Sequence, residues 1–283
     1  MAEENTLDLL LALRATGARP PLFCMHAGGG DPFEYRYLAA SLPEDQPVYA
    51  SGMPELDESG TLPTVELLAA KYLREIRKLQ KRGPYQLCGH SFGGLVAYEV
   101  ACLLANEEED VSLLALIDTR HPASSRNLSI ATRMEFYVAY LTDRIVKYGQ
   151  NLLRTGVKQI AADATASISH RATQFAWKIS RLVSSEPRLA IPGIIRREVL
   201  ALHDARRTYT PRLYSGKMVL FRALSRDVEY KTDITLGWIL SVTGSIDVHP
   251  VPGDHLSIMR FPYIKGVGDI LISYLHAAPQ LGS

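Results

Sequence analysis

The sequence predicts an α/β fold, with a mostly parallel central sheet flanked by helices and one helical insertion. Three observations lead there. Residues 7–120 alternate strand-like and helix-like segments, and residues 200–276 resume that alternation. Leu113-Leu114-Ala115-Leu116-Ile117 is a continuous apolar run, the pattern of a strand buried on both faces of a parallel sheet. Between the two blocks the period changes. Met134, Val138, Leu141, Ile145, Tyr148 and Leu152 recur at steps of four and three, as do Ile168, Ala172, Phe175, Ile179 and Leu182. Both stripes read as amphipathic helices with no strand between them.

The elements follow in order. Leu7–Leu13 is a short apolar stretch after Glu3 and Glu4 and predicts a first edge strand. Pro21–Met25 predicts a second strand, closed by the loop His26-Ala27-Gly28-Gly29-Gly30. Tyr85–Cys88 is a short apolar strand, and Gly94–Ala101 opens a helix. The Leu113–Ile117 strand ends at Asp118, and the insertion occupies about residues 121–199. Lys217–Phe221 predicts a further strand, and another ends at Val248 or its neighbours. Pro250–His255 is then a turn-rich loop, and Val267–Leu275 a last helix. The expectation is a single domain with its core in 7–120 and 200–276. A chain of 283 residues can bury a substantial core of this kind.

Gly89-His90-Ser91-Phe92-Gly93 stands between the Tyr85–Cys88 strand and the helix after it. A Gly-x-Ser-x-Gly is weak alone, but at a strand-to-helix turn it reads as a nucleophile elbow. Gly89 and Gly93 lack side chains so that the helix can pass the strand, and Ser91 is held at the tip. Such a serine needs a base and an acid, which in α/β-hydrolases follow in the order serine, carboxylate, histidine. His255 fits the base, because a late loop can carry an imidazole back over the serine. His26 and His90 come too early in that order. His170, His203 and His276 fall in helical regions, and His249 stands at the end of a strand. For the acid, Asp118 closes a buried strand at the carboxyl end, where parallel sheets keep their sites. Asp227 competes from a polar loop after the next strand, and Asp254 reads as turn chemistry after Gly253.

An acyl-transfer site also needs donors for an oxyanion. The backbone N–H of Phe92 is one. The second is expected from the His26–Gly30 loop, with Gly28 first and Ala27 next. That loop lacks the Lys-Ser/Thr and the Gly-x-Gly-x-x-Gly of phosphate cradles.

These residues together resemble a type I thioesterase domain, the releasing domain of non-ribosomal peptide and polyketide synthases in the α/β-hydrolase superfamily. The resemblance runs nearly end to end. It includes Leu11–Arg14, Arg19–Cys24, His26–Gly30, Phe33–Leu38, Asp45–Tyr49, the elbow, Ile117–Thr119, Gly216–Ala223 and Val251–His255. It implies an α/β-hydrolase fold in which the insertion is a lid, and it supports Asp118 as the acid. It further implies release of an acyl or peptidyl chain from the phosphopantetheine arm of a carrier protein through an acyl-Ser91 intermediate. Release is by hydrolysis or macrocyclisation, with no cofactor and no metal bound. Tyr137, Tyr140 and Trp177 lie beside or off the apolar stripes and are candidates to face the substrate. Two departures stand out. Many peptide-synthetase members carry Trp where this chain has His90, which keeps a polyketide or hybrid origin open. Many also have Pro-Ala where Ala27-Gly28 stands here, which leaves the second oxyanion donor open.

Bulk properties agree with a soluble enzyme. A net charge of +1 gives no global pull toward nucleic acid or membrane. No apolar run approaches the ~18 residues of a membrane span, and no signal pattern opens the chain, so a cytoplasmic location is expected. Cys24, Cys88 and Cys102 have no metal or disulfide spacing and read as small buried hydrophobes. From Arg144 to Arg197 the insertion is strongly basic, which is either a solvated face or a docking surface for an acidic carrier. The alternatives are a stand-alone carboxylesterase or lipase, an editing thioesterase, and a non-catalytic protein on the same fold.

Overall fold

The computed structural model describes residues 9–28, 30–54, 63–125, 205–225 and 233–277. The chain divides into two compact units. All described residues belong to the one made of Met1–Glu55, Pro63–Asn127 and Ala205–Ser283. The helical stripes expected in the insertion lie outside the described residues.

Seven described strands form one sheet: β1 (Leu10–Arg14), β2 (Leu22–Met25), β3 (Val48–Ser51), β4 (Tyr85–His90), β5 (Val111–Ile117), β6 (Met218–Ala223) and β7 (Ile246–Val251). Their order is β1-β3-β2-β4-β5-β6-β7. Only β1 runs antiparallel, against β3; every other pair is parallel. The apolar runs explain the arrangement. Every residue of β2, β3 and β4 is buried, as a sheet covered on both faces requires. The edges differ. β7 is mostly half-buried and carries Pro250, which an edge strand tolerates because it offers no ladder N–H there. The strand expected to end near Val248 therefore continues to Val251, and the active loop starts later than the sequence suggests.

Among the described residues, the sheet is flanked by α1 (Arg36–Ser41), α2 (Val65–Leu79), α3 (Phe92–Asn106), α4 (Pro122–Ser125) and α5 (Tyr263–Ala277). On α2 the buried residues Val65, Leu68, Ala69, Tyr72, Leu73 and Ile76 form one stripe. Thr64 caps it by accepting from the Leu67 N–H, while Glu66 and Arg77 complement its dipole. Along β5, Leu113, Ala115 and Ile117 alternate onto one face and share a core cluster with Leu38 of α1, Leu42 at its end and Ile264, Val267 and Leu271 of α5. All three cysteines are buried thiols, and Cys24 and Cys88 sit directly opposite each other on β2 and β4.

One topological feature locates the site. From β2 the chain first builds β3 on one side, then crosses to β4 on the other. In a parallel sheet such a reversal opens a crevice at the carboxyl ends of the two strands. The loop His26–Gly28 leaves β2 there, and Ser91 leaves β4.

Candidate active site

Ser91 joins β4 to α3 with φ 56° and ψ −117°, a backbone that a side chain seldom adopts. Its N–H donates to the Ile117 carbonyl at 3.1 Å, and its own carbonyl accepts from Gly94 at 3.2 Å. A Cβ on Gly89 would collide with the Gly93 carbonyl, so strand and helix do pass that closely. A Cβ on Gly93 would strike the Met25 carbonyl instead, so the second glycine answers to β2 rather than to β4.

His255, in the loop after β7, reaches both neighbours. Its Nε2 lies 2.9 Å from Ser91 Oγ and its Nδ1 lies 2.6 Å from Asp118 Oδ2. Asp118 is fully buried directly after β5, with φ 48°. Its N–H donates to the Phe221 carbonyl at 2.7 Å, and its Oδ1 accepts from the Ala223 N–H at 3.0 Å. The carboxylate is thereby aimed by the adjacent strand β6. With its Oδ2 on Nδ1, the tautomer that leaves Nε2 free to accept from the serine is favoured. Of the competing carboxylates, only Asp254 is among the described residues. Asp254 caps its own turn by accepting from the N–H groups of Leu256 and Ser257, at 2.8 and 2.9 Å. Asp227 lies outside the described residues, as do Gly29, Tyr137, Tyr140, Trp177 and the basic stretch of the insertion.

The candidate oxyanion donors follow neighbouring strands, with Met25 of β2 in register with Gly89 of β4. Phe92 is the first residue of α3, so its N–H has no acceptor within the helix. Ala27 is buried and Gly28 exposed. A Cβ at Gly28 would meet no heavy atom within 4 Å. The space beside Gly28 is therefore open, with no protein atom standing in it. The buried His26 ring stacks on Phe92 at 6.1 Å and meets Tyr72 edge-on at 5.8 Å, which ties the two donor segments together. Burial lowers the His26 pKa against the opposing pull of the Ala27 carbonyl and the Glu34 charge.

Two residues here were not singled out from the sequence. Tyr35 donates from its hydroxyl to the Met25 carbonyl at 2.5 Å and accepts from the His90 N–H at 2.7 Å. One buried phenol thus bridges the ends of β2 and β4. Glu34 Oε1 lies 2.7 Å from His90 Nδ1, a contact across 56 residues that no local spacing announces. Among the described residues, no cluster of His, Cys, Asp or Glu could hold a metal ion, and no helix is long and apolar enough to cross a membrane.

Comparison with known proteins identifies the family. The family model for the thioesterase domain matches residues 20–267. Malpibaldin synthetase of Mortierella alpina is 30% identical over 96% of this chain, which spans 4% of that protein. Among solved structures, the four-domain nonribosomal peptide synthetase holo-AB3403 is 25% identical with a TM-score of 0.69, covering 94% of this chain and 20% of its own. The NocB thioesterase domain, solved as a covalent complex with a fluorophosphonate nocardicin G analog, is 21% identical with a TM-score of 0.63 over 94% of this chain and 99% of its own. These likenesses support the α/β-hydrolase fold. With most of its length matched by the family model, the chain belongs to the thioesterase domain family, and with it to the serine hydrolases.

Proposed function

We propose that this domain releases an acyl or peptidyl chain from the phosphopantetheine thioester of a carrier protein, with Ser91, His255 and Asp118 as nucleophile, base and acid. The observation that carries the reading is the continuous contact from Asp118 Oδ2 through the His255 ring to Ser91 Oγ, at 2.6 and 2.9 Å. His255 Nε2 takes the serine proton as Oγ bonds to the thioester carbonyl carbon. The carbonyl oxygen becomes an oxyanion facing the N–H of Phe92 and of Gly28 or Ala27, each such donor being worth roughly 3 kcal/mol. The C–S bond then breaks, and His255 returns the proton to the departing thiolate. A second nucleophile, activated by the same imidazole, opens the acyl-Ser91 ester. Water yields a free acid, and a hydroxyl or amine of the chain itself yields a ring.

The reading is tested by comparing an acylated carrier protein with a simple ester of the same acyl group. We expect kcat/KM to favour the carrier by at least about tenfold, because binding remote from the reacting carbonyl raises k for the tethered substrate. The mass of the released chain separates hydrolysis from cyclisation, since the ring lacks one water. Equal or better turnover of the simple ester would replace the reading with a stand-alone esterase.

A further inference from the structure

His90 occupies the position before the nucleophile, is almost wholly buried, and places both ring nitrogens against acceptors. Nδ1 lies 2.7 Å from the carboxylate of Glu34, and Nε2 lies 2.8 Å from the backbone carbonyl of His255. Neither partner atom carries a proton when Glu34 is ionised, and its side chain is one-quarter exposed. A neutral imidazole has one donor only, so satisfying both contacts requires the imidazolium.

We propose that His90, charged through its pairing with Glu34, is the positioning residue of the base, holding the His255 loop by that residue's own carbonyl. The proposal rests on the reading of Ser91 and His255 as the reacting pair. His255 comes from a loop beyond an edge strand. The loop's own hydrogen bonds, from Ser225 N–H to the Gly253 carbonyl and from Ile258 N–H to the Asp254 carbonyl, tie it to the end of β6 and to itself. His90 ties it instead to the strand that carries Ser91. The residue next to the nucleophile thereby fixes the backbone of the base. A reacting contact of 2.9 Å tolerates little drift, and a displacement of about 1 Å costs orders of magnitude in rate.

The same pair has an electrostatic consequence. The His90 and His255 rings lie 4.8 Å apart between centroids, with the positive end of the Glu34–His90 pair facing the base. That charge opposes protonation of His255, while the Asp118 carboxylate 2.6 Å from its Nδ1 favours it. The groups facing His90 are Glu34 and the Tyr35 hydroxyl from the segment before α1, Asp118 after β5, and His255 itself. Burial alone would lower the His90 pKa. The Glu34 charge and hydrogen bond, the Asp118 charge and the His255 carbonyl outweigh it and raise the pKa instead.

The test uses hydrolysis of a small acyl N-acetylcysteamine thioester by the whole chain, so that carrier recognition does not enter. His90→Phe keeps a ring but loses both hydrogen bonds and the charge. We expect kcat to fall about tenfold or more with KM within about twofold, and the acid limb of kcat/KM to move to higher pH. Glu34→Gln lets a neutral His90 accept from the new amide while still donating to the His255 carbonyl, and should retain kcat within about threefold. Side-chain 15N spectra of the wild type should show both His90 nitrogens protonated at neutral pH, a readout that needs no turnover. A singly protonated His90 would overturn the proposal. So would wild-type kcat and acid limb in His90→Phe, or equal losses in both variants with the acid limb unmoved. If instead Ser91→Ala retained the wild-type rate, the reacting pair itself would be wrong, which is a different failure.

Discussion

Ser91 and Asp118 both hold left-handed backbone conformations that disfavour side chains, and each is pinned there by a hydrogen bond to a neighbouring strand. Strain of this kind costs of order 1–3 kcal/mol per residue and persists only where the surroundings impose it. Asp118 is imposed upon twice, because the Ala223 N–H also claims its Oδ1. That second contact makes Asp118→Asn informative. The amide oxygen should stay on the Ala223 N–H, turning the amide nitrogen toward His255 and forcing the wrong tautomer. We predict a loss in kcat of about 10⁴-fold with the melting temperature little changed. That Ser91, His255 and Asp118 would meet was legible from their order and from the elements that precede them. His90 and Glu34 were not, because a pairing across 56 residues leaves no periodic signal, and the order of a triad says nothing about what holds its base.

At the scale of elements, the site is made by four strand ends rather than by any one motif. β2 brings the candidate donor loop, β4 the proposed nucleophile, β5 the proposed acid, and β7 the loop of the proposed base. β6 aims the Asp118 carboxylate through the Ala223 N–H. The elbow helix depends on β2 as much as on β4, since Gly93 passes against the Met25 carbonyl. Gly93→Ala must therefore push β2 and α3 apart. We predict a stability loss of about 2–3 kcal/mol by denaturant unfolding, together with a fall in kcat as the donor segments separate. Continuous apolar runs made β2, β4, β5 and β6 readable. The end of β7 was misjudged because Pro250 looks like a turn residue, and only its place on the sheet edge lets the strand carry it.

Across the whole molecule, two buried histidines beside the site push stability in opposite directions with pH. The folded-state pKa of His90 is raised above 6.5, so its contribution is full below 6.5 and is lost as pH climbs through the folded value. The folded-state pKa of His26 is lowered below 6.5, so stability falls as pH drops from 6.5 and the unfolded chain takes up a proton that the buried ring refuses. Together they place a maximum near pH 6.5. Melting curves from pH 5 to 9 should show it, and His90→Gln should flatten the alkaline side while leaving the acid side in place. The parallel sheet was predictable because burial on both faces writes itself into consecutive apolar residues. The pH response was not, because it depends on which histidine finds a carboxylate after folding.

The central claim is that Ser91 carries the acyl group between carrier and product. Intact-mass spectrometry after rapid quenching of the domain with an acylated carrier tests it directly. The account predicts an added acyl mass that maps to the peptide containing Ser91 and is absent from Ser91→Ala. An acyl adduct of equal yield in Ser91→Ala, or one mapping to another residue, would contradict it.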